Sequence, residues 1–556
     1  MKMKLRYIQT LLFIAVINVC GFSQNYSIAW QRTIGGNAND KLTKTLQTTD
    51  GGLILCGYSN SNVSGDKQQD AKNGSYDFWV VKLTKTGTTQ WSKTYGGVDR
   101  DLKPTIIQTS DGGFLLGGSS ISPKSNAKSK NAVNQSFDYW ILKLNSSGQI
   151  VWDNTIGGIQ FEKLGALLET NSGYFICGSS NSLDSADKTV DNEGSSLTPD
   201  YWIVKVNKSG TILWDSVYGG TNRDAFSTAV VTSDGGLLLA GTSYSPRGGN
   251  KNDDFVGNGD FWVIKLDSVG VPQWNRTIGG NLSENLTSVD LVGTIGYVFA
   301  GYSNSPASGS KTDGCRGVTD YWIIRTDKFG NVLWNKTYGG TGADYLTTVK
   351  FLQSKYYVGG YSNSGISGDK TVDSIGGMDF WTMILDKNGN ITEQSTWGGT
   401  GDDYLTDYFP SGTQYVLAGT SNSPKGKSKR DGTVGNTGNP DYWIFKISPV
   451  AAAIQATAVD SSALTIDKTD ILKTQFSLEI NPNPVKDILH LNYNVTNSNK
   501  SISLSIYSNN GKLIKQAALA NTNGTYTLDL SAQASGLYYT VLQSGTSSAT
   551  KKFIKN

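Results

Sequence analysis

Apolar and polar residues alternate with a period of two along most of this chain, in short runs separated by turn residues. Residues 42–97 show the pattern: the runs LTKTLQT and LILCGYS flank TDGG, and the runs DFWVVKL and TTQWSKTY flank TKTG. Such runs are typical of β-strands, and Asp-Gly or Gly-rich pairs between them are typical of tight turns. The segment predicts four short antiparallel strands, with a long polar loop at residues 60–76 between the second and the third.

This four-strand pattern recurs along the chain. The motif W-x4-GG marks each copy, and a second motif, D-[FY]-W, occurs seven times in register with it. The first glycines of the pairs are 59 to 62 residues apart and are Gly35, Gly96, Gly157, Gly219, Gly279, Gly339 and Gly398. The last copy is degenerate, with Glu393 at the Trp position. A repeated four-stranded unit of about 60 residues predicts the blades of a β-propeller.

The two ends of the repeat array complement each other. The array begins with a lone Trp strand, residues 26–34, and ends with a D-Y-W strand, residues 441–447, that no Trp strand follows. The first strand can therefore complete the last blade, which removes the exposed edges of an open array. We predict an all-β chain with a closed seven-bladed β-propeller at residues 24–447. The alternative is a linear solenoid, which would need capping repeats.

The segments outside the array have different patterns. At the N-terminus a basic start precedes an apolar stretch and small residues at Gly21 and Ser23, which predicts a cleaved secretory signal peptide at residues 1–23. A lipoprotein signal with Cys20 as the lipidated residue is the alternative. Residues 448–474 are rich in Ala, Ser and Thr and are predicted to be a linker, and the period-two runs of residues 475–556 predict a small antiparallel β-sandwich.

The C-terminal module carries short motifs at characteristic places. They are Asn481, Pro482, Asn483 and Pro484, a hairpin from Tyr507 to Gly511, the pair Gly536 and Tyr538 within Ser-Gly-Leu-Tyr, and the basic tail with Lys551 and Lys552. The module resembles the type A C-terminal sorting domain of the Bacteroidetes type IX secretion system. The resemblance implies export through the periplasm and the outer membrane, with the secretion machinery as a partner. A secreted or cell-surface location would follow.

The repeats themselves are similar to a family of exported bacterial repeat proteins. The matching segments include TSDGGFLLGGSS and DYWIVKVNKSGTILW, and the likeness implies a propeller and no particular activity. A weaker similarity is to the quinone-dependent dehydrogenase propellers, whose Gly-x-x-x-Trp motif is matched by Gly148 to Trp152 and its equivalents. In those enzymes the motif docks neighbouring blades, so it carries no cofactor across.

Composition excludes several kinds of chemistry. The chain has 556 residues, 65 of them glycine, and its 49 Lys+Arg against 46 Asp+Glu give no electrostatic footprint for nucleic acid. The single histidine is His490, so no histidine-based catalytic triad or zinc site can lie in residues 1–489. Phosphate-binding loops and metal-ligand clusters are also missing from the sequence. We therefore expect a monomer without cofactor or metal.

A regular set of acids stands near the start of each copy. Five residues after the first glycine of each pair come Asp40, Asp101, Glu162, Asp224, Glu284, Asp344 and Asp403. They lie at the end of the propeller that carries the long, variable loops, which is where binding residues are commonly found. Either they bind a cation or a hydroxyl-rich ligand, or they accept backbone N–H bonds from the Gly-Gly linkers. Tyr58, Tyr302 and Tyr361 at the same end could stack on sugars or pack between blades.

Three functions remain open at this point. The first is a non-catalytic, exported propeller that binds a protein or a glycan through its long-loop face. The second is a glycan hydrolase or lyase that uses carboxylates of the acid ring. The third, a quinoprotein dehydrogenase, is disfavoured because the sequence carries no cofactor-binding set.

Overall fold

The computed structural model describes residues 26–125, 127–194, 198–435, 438–450, 475–496, 501–508, 513–544 and 547–556. They fall into two compact units, one before residue 451 and one after residue 474. The predicted signal peptide at residues 1–23 and most of the predicted linker, residues 451–474, lie outside the described residues.

The first unit consists of antiparallel strands, as the sequence predicts. The first strand, β1 (Tyr26–Ile34), pairs with a strand near the end of the unit. Two short 3-10 turns occur at Lys72–Gly74 and Val133–Gln135. In the described residues the strands form seven four-stranded sheets, numbered here in chain order.

The strands of sheets 1 to 4 are consecutive in the chain. Sheet 1 contains β2 (Asp40–Gln47), β3 (Leu53–Ser59), β4 (Asp77–Leu83) and β5 (Thr89–Tyr95). Sheet 2 contains β6 (Asp101–Gln108), β7 (Phe114–Ser120), β8 (Asp138–Leu144) and β9 (Ile150–Ile156). Sheet 3 contains β10 (Glu162–Thr170), β11 (Gly173–Ser180), β12 (Asp200–Val206) and β13 (Ile212–Tyr218). Sheet 4 contains β14 (Asp224–Val231), β15 (Leu237–Ser243), β16 (Asp260–Leu266) and β17 (Pro272–Ile278).

Sheets 5 and 6 follow the same order, and sheet 7 does not. Sheet 5 contains β18 (Glu284–Leu291), β19 (Gly296–Ser303), β20 (Asp320–Asp327) and β21 (Val332–Tyr338). Sheet 6 contains β22 (Asp344–Leu352), β23 (Lys355–Ser362), β24 (Asp379–Leu385) and β25 (Ile391–Trp397). Sheet 7 contains β26 (Asp403–Ser411), β27 (Gln414–Ser421) and β28 (Asp441–Pro449), and β1 supplies its fourth strand.

The strand register places the loops at two ends of the unit. In sheet 1, Asp40 at the start of β2 pairs with Ser59 at the end of β3, and Ser59 pairs with Asp77 at the start of β4. The Gly-Gly linkers and the long loops therefore share one end, which we name the long-loop end. The TDGG-type and TKTG-type turns share the opposite end, named the short-turn end. This is the arrangement that the sequence predicts.

The tryptophan of each D-[FY]-W motif lies in the core between its own sheet and a neighbouring sheet. These seven side chains are fully buried and are Trp79, Trp140, Trp202, Trp262, Trp322, Trp381 and Trp443. The Trp79 indole N–H donates to Ser92 Oγ on β5 at 2.9 Å, and the Trp443 indole donates to Gln31 Oε1 on β1 at 3.2 Å. Because Gln31 takes the place of Ser92, β1 serves sheet 7 as β5 serves sheet 1.

Sheet 7 packs against sheet 1 with the contacts that join consecutive sheets. Tyr442 donates its hydroxyl to the Trp79 carbonyl at 3.2 Å, as Tyr201 of sheet 3 donates to the Trp262 carbonyl of sheet 4 at 3.1 Å. Leu42 of sheet 1 lies in one buried cluster with Tyr442. The first and the last sheets are therefore neighbours.

The glycine pairs have a steric cause. A Cβ added to Gly35 would stand 1.9 Å from Asp441 Oδ1, and one added to Gly36 would stand 2.5 Å from Ser61 Cβ. The first glycine of each pair meets the aspartate of a D-[FY]-W motif in the same way, and the second meets a serine. No larger side chain fits either position without moving a buried neighbour.

The degenerate seventh copy is explained by the strand order of sheet 7, in which β1 lies beside β28. In sheets 1 to 6 the glycine of the turn before the fourth strand packs on a tryptophan of the preceding sheet, as Gly389 packs on Trp334. Sheet 7 has no such turn, because β28 ends the unit and β1 begins it. Glu393 of sheet 6 takes the tryptophan position on which such a turn would pack. It accepts a hydrogen bond from the Tyr26 hydroxyl of β1 instead.

The second unit contains two antiparallel sheets. One is formed by β29 (Gln475–Asn481), β30 (Ile488–Thr496) and β33 (Asn523–Asp529). The other is formed by β31 (Ile502–Ser508), β32 (Leu513–Leu519), β34 (Gly536–Ser544) and β35 (Ser547–Lys555). Both contribute to one apolar core, which includes Leu491 of the first sheet and Leu504, Leu542 and Phe553 of the second.

Candidate functional site

The seven acids predicted from the glycine spacing all lie at the long-loop end and are fully buried. Each accepts the backbone N–H of the second glycine of its pair, at 2.7 to 3.1 Å. Each also accepts the hydroxyl of a buried serine, at 2.5 to 3.0 Å. These contacts are the ones expected if the acids hold the Gly-Gly linkers in place. A ligand role for the acids stays a prediction.

A second buried carboxyl faces each of these acids from the neighbouring sheet. It belongs to the D-[FY]-W motif and accepts a loop N–H at 2.5 to 2.7 Å. Its Oδ1 has no donor in the part of the chain that the structure describes. Burial, and next the charge of Asp224, raise the pKa of Asp200 to about 9, and burial raises that of Asp138 to about 8. The pairs that contain Asp138 and Asp200 therefore hold a proton at neutral pH. In three other pairs burial raises the aspartate pKa only to about 6, and these aspartates are Asp260, Asp320 and Asp379.

A buried lysine stands between successive carboxyl pairs. The seven are Lys67, Lys128, Lys188, Lys251, Lys311, Lys370 and Lys429, and each is at most 2 % exposed. Burial lowers the pKa of Lys67 to about 8, although the charges of Asp40 and Asp77 act in the opposite direction. Lys429 lies near Asp403 and Asp441 in the same way: burial lowers its pKa and the charges of these two aspartates raise it. The alternation of carboxyl pairs and lysines therefore continues through sheet 7. We name this series of carboxyl pairs and lysines the charged belt.

The belt lysines have a regular spacing in the sequence. Each lysine follows by six residues the serine that bonds the acid, as Lys67 follows Ser61 and Lys370 follows Ser364. The spacing is constant in all seven long loops. Belt residues that recur this regularly hold loops and sheets together. A site for a specific ligand is expected where the side chains differ from one repeat to the next.

The first strands of all seven sheets surround one cavity of about 890 Å³. Its wall carries hydroxyl or small side chains three residues after the acids, and these are Thr43, Pro104, Gly165, Ser227, Thr287, Thr347 and Thr406. Some of the hydroxyls join neighbouring sheets, as Thr287 Oγ1 donates to the Leu346 carbonyl at 2.9 Å. We name this cavity the channel and its long-loop end the channel mouth.

The channel mouth breaks the sevenfold repeat. Lys41 of sheet 1 and Lys103 of sheet 2 are exposed and line the channel. Lys163 of sheet 3 is also exposed, and Arg223 of sheet 4 precedes its acid. At the places that correspond to Lys41 and Lys163, sheets 6 and 7 carry Tyr345 and Tyr404. Partial burial of its ammonium group lowers the pKa of Lys163, and the nearby charges of Lys103 and Arg223 lower it further. One arc of the mouth is therefore cationic and the other is aromatic.

Lys103 is an exception within its own strand. The residue two places after the acid is a buried apolar one in the other six sheets, as Leu42 and Leu164 are. Lys103 instead has φ of 49°, in the left-handed region that disfavours side-chain-bearing residues, and its side chain is exposed in the channel mouth. A strained residue that gives up a buried position is a common mark of function.

The aromatic arc is a continuous row of rings. Tyr302 meets Tyr345 with ring centroids 5.0 Å apart, Tyr345 meets Tyr361 at 5.3 Å, and Tyr361 meets Tyr404 at 5.0 Å. Tyr361 and Tyr404 line the channel, and Tyr404 is 41 % exposed. Of the three tyrosines that the sequence left between stacking and packing, Tyr302 and Tyr361 pack in this row, whereas Tyr58 packs on Tyr76 with ring centroids 5.3 Å apart. Tyr58 and Tyr361 also line the channel.

The sorting motifs of the second unit meet at its last strand. Asn483 Oδ1 accepts the Ile554 N–H at 3.0 Å, and the Val485 N–H donates to the Ile554 carbonyl at 2.7 Å. Pro482 and Pro484 are exposed beside them. The predicted basic tail is the edge strand β35, in which Lys551 and Lys552 are exposed.

The remaining sorting residues lie on the strands that pair with β35 or next to them. Tyr538 packs on Phe553 with ring centroids 5.6 Å apart, Gly536 pairs with Lys555, and Tyr507 is half-buried on β31. Gly511 and the side chain of Asn481 lie outside the described residues.

Comparison with known proteins identifies the second unit. Residues 479–556 match the family described as secretion system C-terminal sorting domain. The module is therefore a sorting domain of this type, which confirms the resemblance seen in its motifs, and it implies export of the chain. Among the described residues, no helix has the length and apolar character that crossing a membrane would need.

The first unit has more distant relatives. The regulatory protein FlaEY of Caulobacter vibrioides is 22 % identical over 461 residues, which cover 76 % of this chain and 47 % of that protein. The chain thus spans about half the length of this curated relative.

Solved structures with a similar backbone include two at low identity. The WD40 domain of Neurospora crassa Pan2 has a TM-score of 0.40 at 9 % identity, over 74 % of this chain and 95 % of that one. A DUF4221 family member from Bacteroides vulgatus has a TM-score of 0.33 at 10 % identity, over 77 % of this chain and 100 % of that one.

Proposed function

We propose that this chain is an exported, closed seven-bladed β-propeller that binds an extracellular ligand at its long-loop end without catalysing a reaction. Each four-stranded sheet is one blade, residues 24–447 form the propeller, and residues 475–556 form the sorting domain. Removal of residues 1–23 by signal peptidase and recognition by the type IX secretion machinery of a Bacteroidetes cell deliver it to the surface or the medium. The propeller acts as a monomer.

Contacts between sheet 7 and sheet 1 support the closed ring. Tyr442 bonds the Trp79 carbonyl there, and the charged belt runs from Lys429 through Asp441 to Asp40. The channel is lined by the first strand of every sheet, which is expected when blades surround a central axis.

The symmetry break at the channel mouth carries the binding proposal. A repeat that serves only the fold has no need of different side chains at equivalent places. Lys41 and Lys103 nevertheless line the same opening as Tyr361 and Tyr404, and Lys163 lies near Lys103. Cations and tyrosines are groups that bind and orient a ligand.

Glycan hydrolysis or cleavage by elimination is the competing function. Two acids line the channel, Asp402 and Asp407, and Asp407 already accepts hydrogen bonds from Lys44 Nζ and the Thr45 N–H. Asp402 Oδ1 accepts the Met378 N–H at 3.0 Å. An enzyme of this kind would depend on Asp402.

The experiment compares binding and turnover on the same molecules. The full exported chain is applied to an array of extracellular glycans and matrix proteins, and bound glycans are then incubated with it for reducing-end and unsaturated-product assays. We expect binding that the double variant Lys41→Ala/Tyr404→Ala abolishes and Lys85→Ala, an exposed lysine of the short-turn end, does not. Product release that Asp402→Asn stops would overturn the non-catalytic function.

A further inference from the structure

Resting on the proposed binding function, we infer that the channel mouth takes an acidic oligosaccharide. Its carboxylate or sulfate groups contact Lys41, Lys103 and Lys163, and its sugar rings stack on Tyr361 and Tyr404. The ligand class follows from four features of the mouth: unpaired cations, a strained lysine, exposed tyrosine faces and a hydroxyl-lined channel below.

The cations of the mouth have no partners of their own. Among the described residues, none of the side chains of Lys41, Lys103 and Lys163 forms a hydrogen bond or an ion pair, whereas Lys82 and Lys265 at the short-turn end are paired with aspartates. Grouping cations without counter-charges costs free energy, and the mutual repulsion falls when an anion binds between them. The cationic arc is thus arranged for a negatively charged ligand.

Lys103 gains nothing for the fold at its position. The equivalent side chains of the other sheets fill the core, and Lys103 leaves that place by adopting a φ of 49°. Left-handed conformations of such residues cost on the order of 1–3 kcal/mol. The strain brings an ammonium group into the mouth beside Lys41 of sheet 1 and Lys163 of sheet 3.

The aromatic arc suits sugar rings. Tyr404 is 41 % exposed, while its contact with Tyr361 and the contact of Tyr361 with Tyr345 fix the ring planes. A pyranose presents an apolar face of C–H groups that packs on an aromatic ring, with hydroxyls left at its edge for hydrogen bonds. A fixed row of tyrosines favours successive rigid rings over a flexible acidic peptide.

The channel below the mouth has the size and surface of a carbohydrate subsite. Its volume of about 890 Å³ lies in the range of small-molecule sites. Hydroxyl side chains of several sheets share its wall with apolar ones such as Ile107, Leu168 and Val230. The hydroxyl side chains include Thr43, Ser227, Thr287 and Thr347. One end of an acidic oligosaccharide can therefore enter the channel while the following residues lie across the mouth.

The test measures binding of defined probes to the full exported chain by calorimetry at low salt. The probes are a galacturonate hexasaccharide, a chondroitin sulfate hexasaccharide, neutral cellohexaose and a short poly-glutamate peptide. We expect the two acidic saccharides to bind, with the affinity falling as salt rises. Lys103→Leu, which restores the residue type of the repeat, should weaken them about 10-fold or more. Tyr404→Ala should weaken them similarly, Tyr404→Phe should not, and Lys85→Ala should change nothing.

The outcomes separate this inference from the function on which it rests. Cellohexaose binding that depends on Tyr404 but not on Lys103 would overturn the acidic ligand and leave glycan binding intact. Poly-glutamate binding without saccharide binding would overturn the saccharide and indicate an acidic protein partner. If no probe binds and the array of the preceding experiment is also blank, both proposals fail. Because Lys103→Leu keeps the repeat sequence, its melting temperature distinguishes lost binding from lost folding.

Discussion

The Thr45 backbone N–H donates to Asp407 Oδ2 at 2.6 Å, although 362 residues separate them in the chain. Asp407 Oδ1 also accepts Lys44 Nζ at 2.7 Å, and the carboxylate is almost fully buried. Thr45 belongs to sheet 1 and Asp407 to sheet 7. One carboxylate thus fastens the last sheet to the first, and the same device joins Asp290 of sheet 5 to the Phe351 N–H of sheet 6 at 2.8 Å.

Replacement of this carboxylate measures how much the contact stabilises the unit. Asp407→Ala leaves the Thr45 N–H without its acceptor in a buried place, so we expect the free energy of unfolding to fall by about 1.5–3 kcal/mol. Thermal and urea unfolding of the full chain give the value. Asp99→Ala, an exposed aspartate of the long-loop end, serves as control. An unchanged unfolding transition for Asp407→Ala would mean that this contact between the two sheets does not stabilise the unit.

The charged belt should make stability depend on pH. Burial raises the folded pKa of Asp138 to about 8 and that of Asp200 to about 9, far above the unfolded value of about 3.9. Their contribution is complete below pH 4 and is lost as pH rises through the folded values, because the folded chain binds more protons than the unfolded one in this window. We therefore expect the melting temperature to fall between pH 5 and pH 8. Belt lysines such as Lys67, whose folded pKa burial lowers to about 8, oppose the trend only above that range.

The substitution Asp200→Asn tests whether the pH dependence of the melting temperature comes from the charged belt or from surface charges. Asp200→Asn imitates the protonated carboxyl, so it should match the parent near pH 5, melt higher at pH 8 and flatten the pH slope by about one proton. Asp99→Asn should leave the slope as it was. A slope that Asp200→Asn does not alter would show that the pair of Asp200 and Asp224 holds no proton.

The glycine pairs allow a sharp steric test. The Cβ of Gly279→Ala would stand 1.8 Å from Asp260 Oδ1, so a buried carboxyl and its N–H bond would have to move. We expect a loss of about 3 kcal/mol or more. Gly426→Ala is the matched control, since its Cβ meets nothing within 4 Å. Equal melting temperatures for the two variants would contradict the steric account.

The last strand of the sorting domain should be needed for export. Removal of residues 547–556 deletes β35, which accepts and donates the hydrogen bonds of Val485 and covers Tyr538 with Phe553. We expect the shortened chain to accumulate in the periplasm of a Bacteroidetes host, measured by fractionation. Lys486→Ala, at an exposed site beside the motif, should be exported normally. Export of the shortened chain would place the recognised surface elsewhere.

The repeat made the strands predictable, because period-two runs and tight turns are local signals. The positions of Trp79 and its equivalents follow from the same regularity. Burial of Asp40 and the other ring acids was one of two predicted alternatives, since spacing alone cannot tell a solvated carboxylate from one that accepts a glycine N–H. Burial of Lys67 was not predicted, because charged residues in long loops are usually solvated.

The channel mouth could not be read from the sequence for a different reason. Lys103 stands in DLKPT, where the other six repeats have Leu or Phe two residues after the acid. The sequence shows this difference, but only the structure shows that the side chain of Lys103 lies at the channel mouth. The row from Tyr302 to Tyr404 joins three sheets, and only the packing of those sheets brings the rings within 5.0 to 5.3 Å. A site whose residues come from different repeats changes only one or two residues in each repeat, so no single repeat indicates the site.

The pairing of Tyr26 with Pro449 has a consequence for display. Both residues lie at the short-turn end, because β28 runs there from Asp441 at the opposite end. The chain therefore enters and leaves the first unit at the end away from Lys103 and Tyr404. Anything joined to the chain at Tyr26 or Pro449 is therefore joined to the first unit at the end opposite the channel mouth.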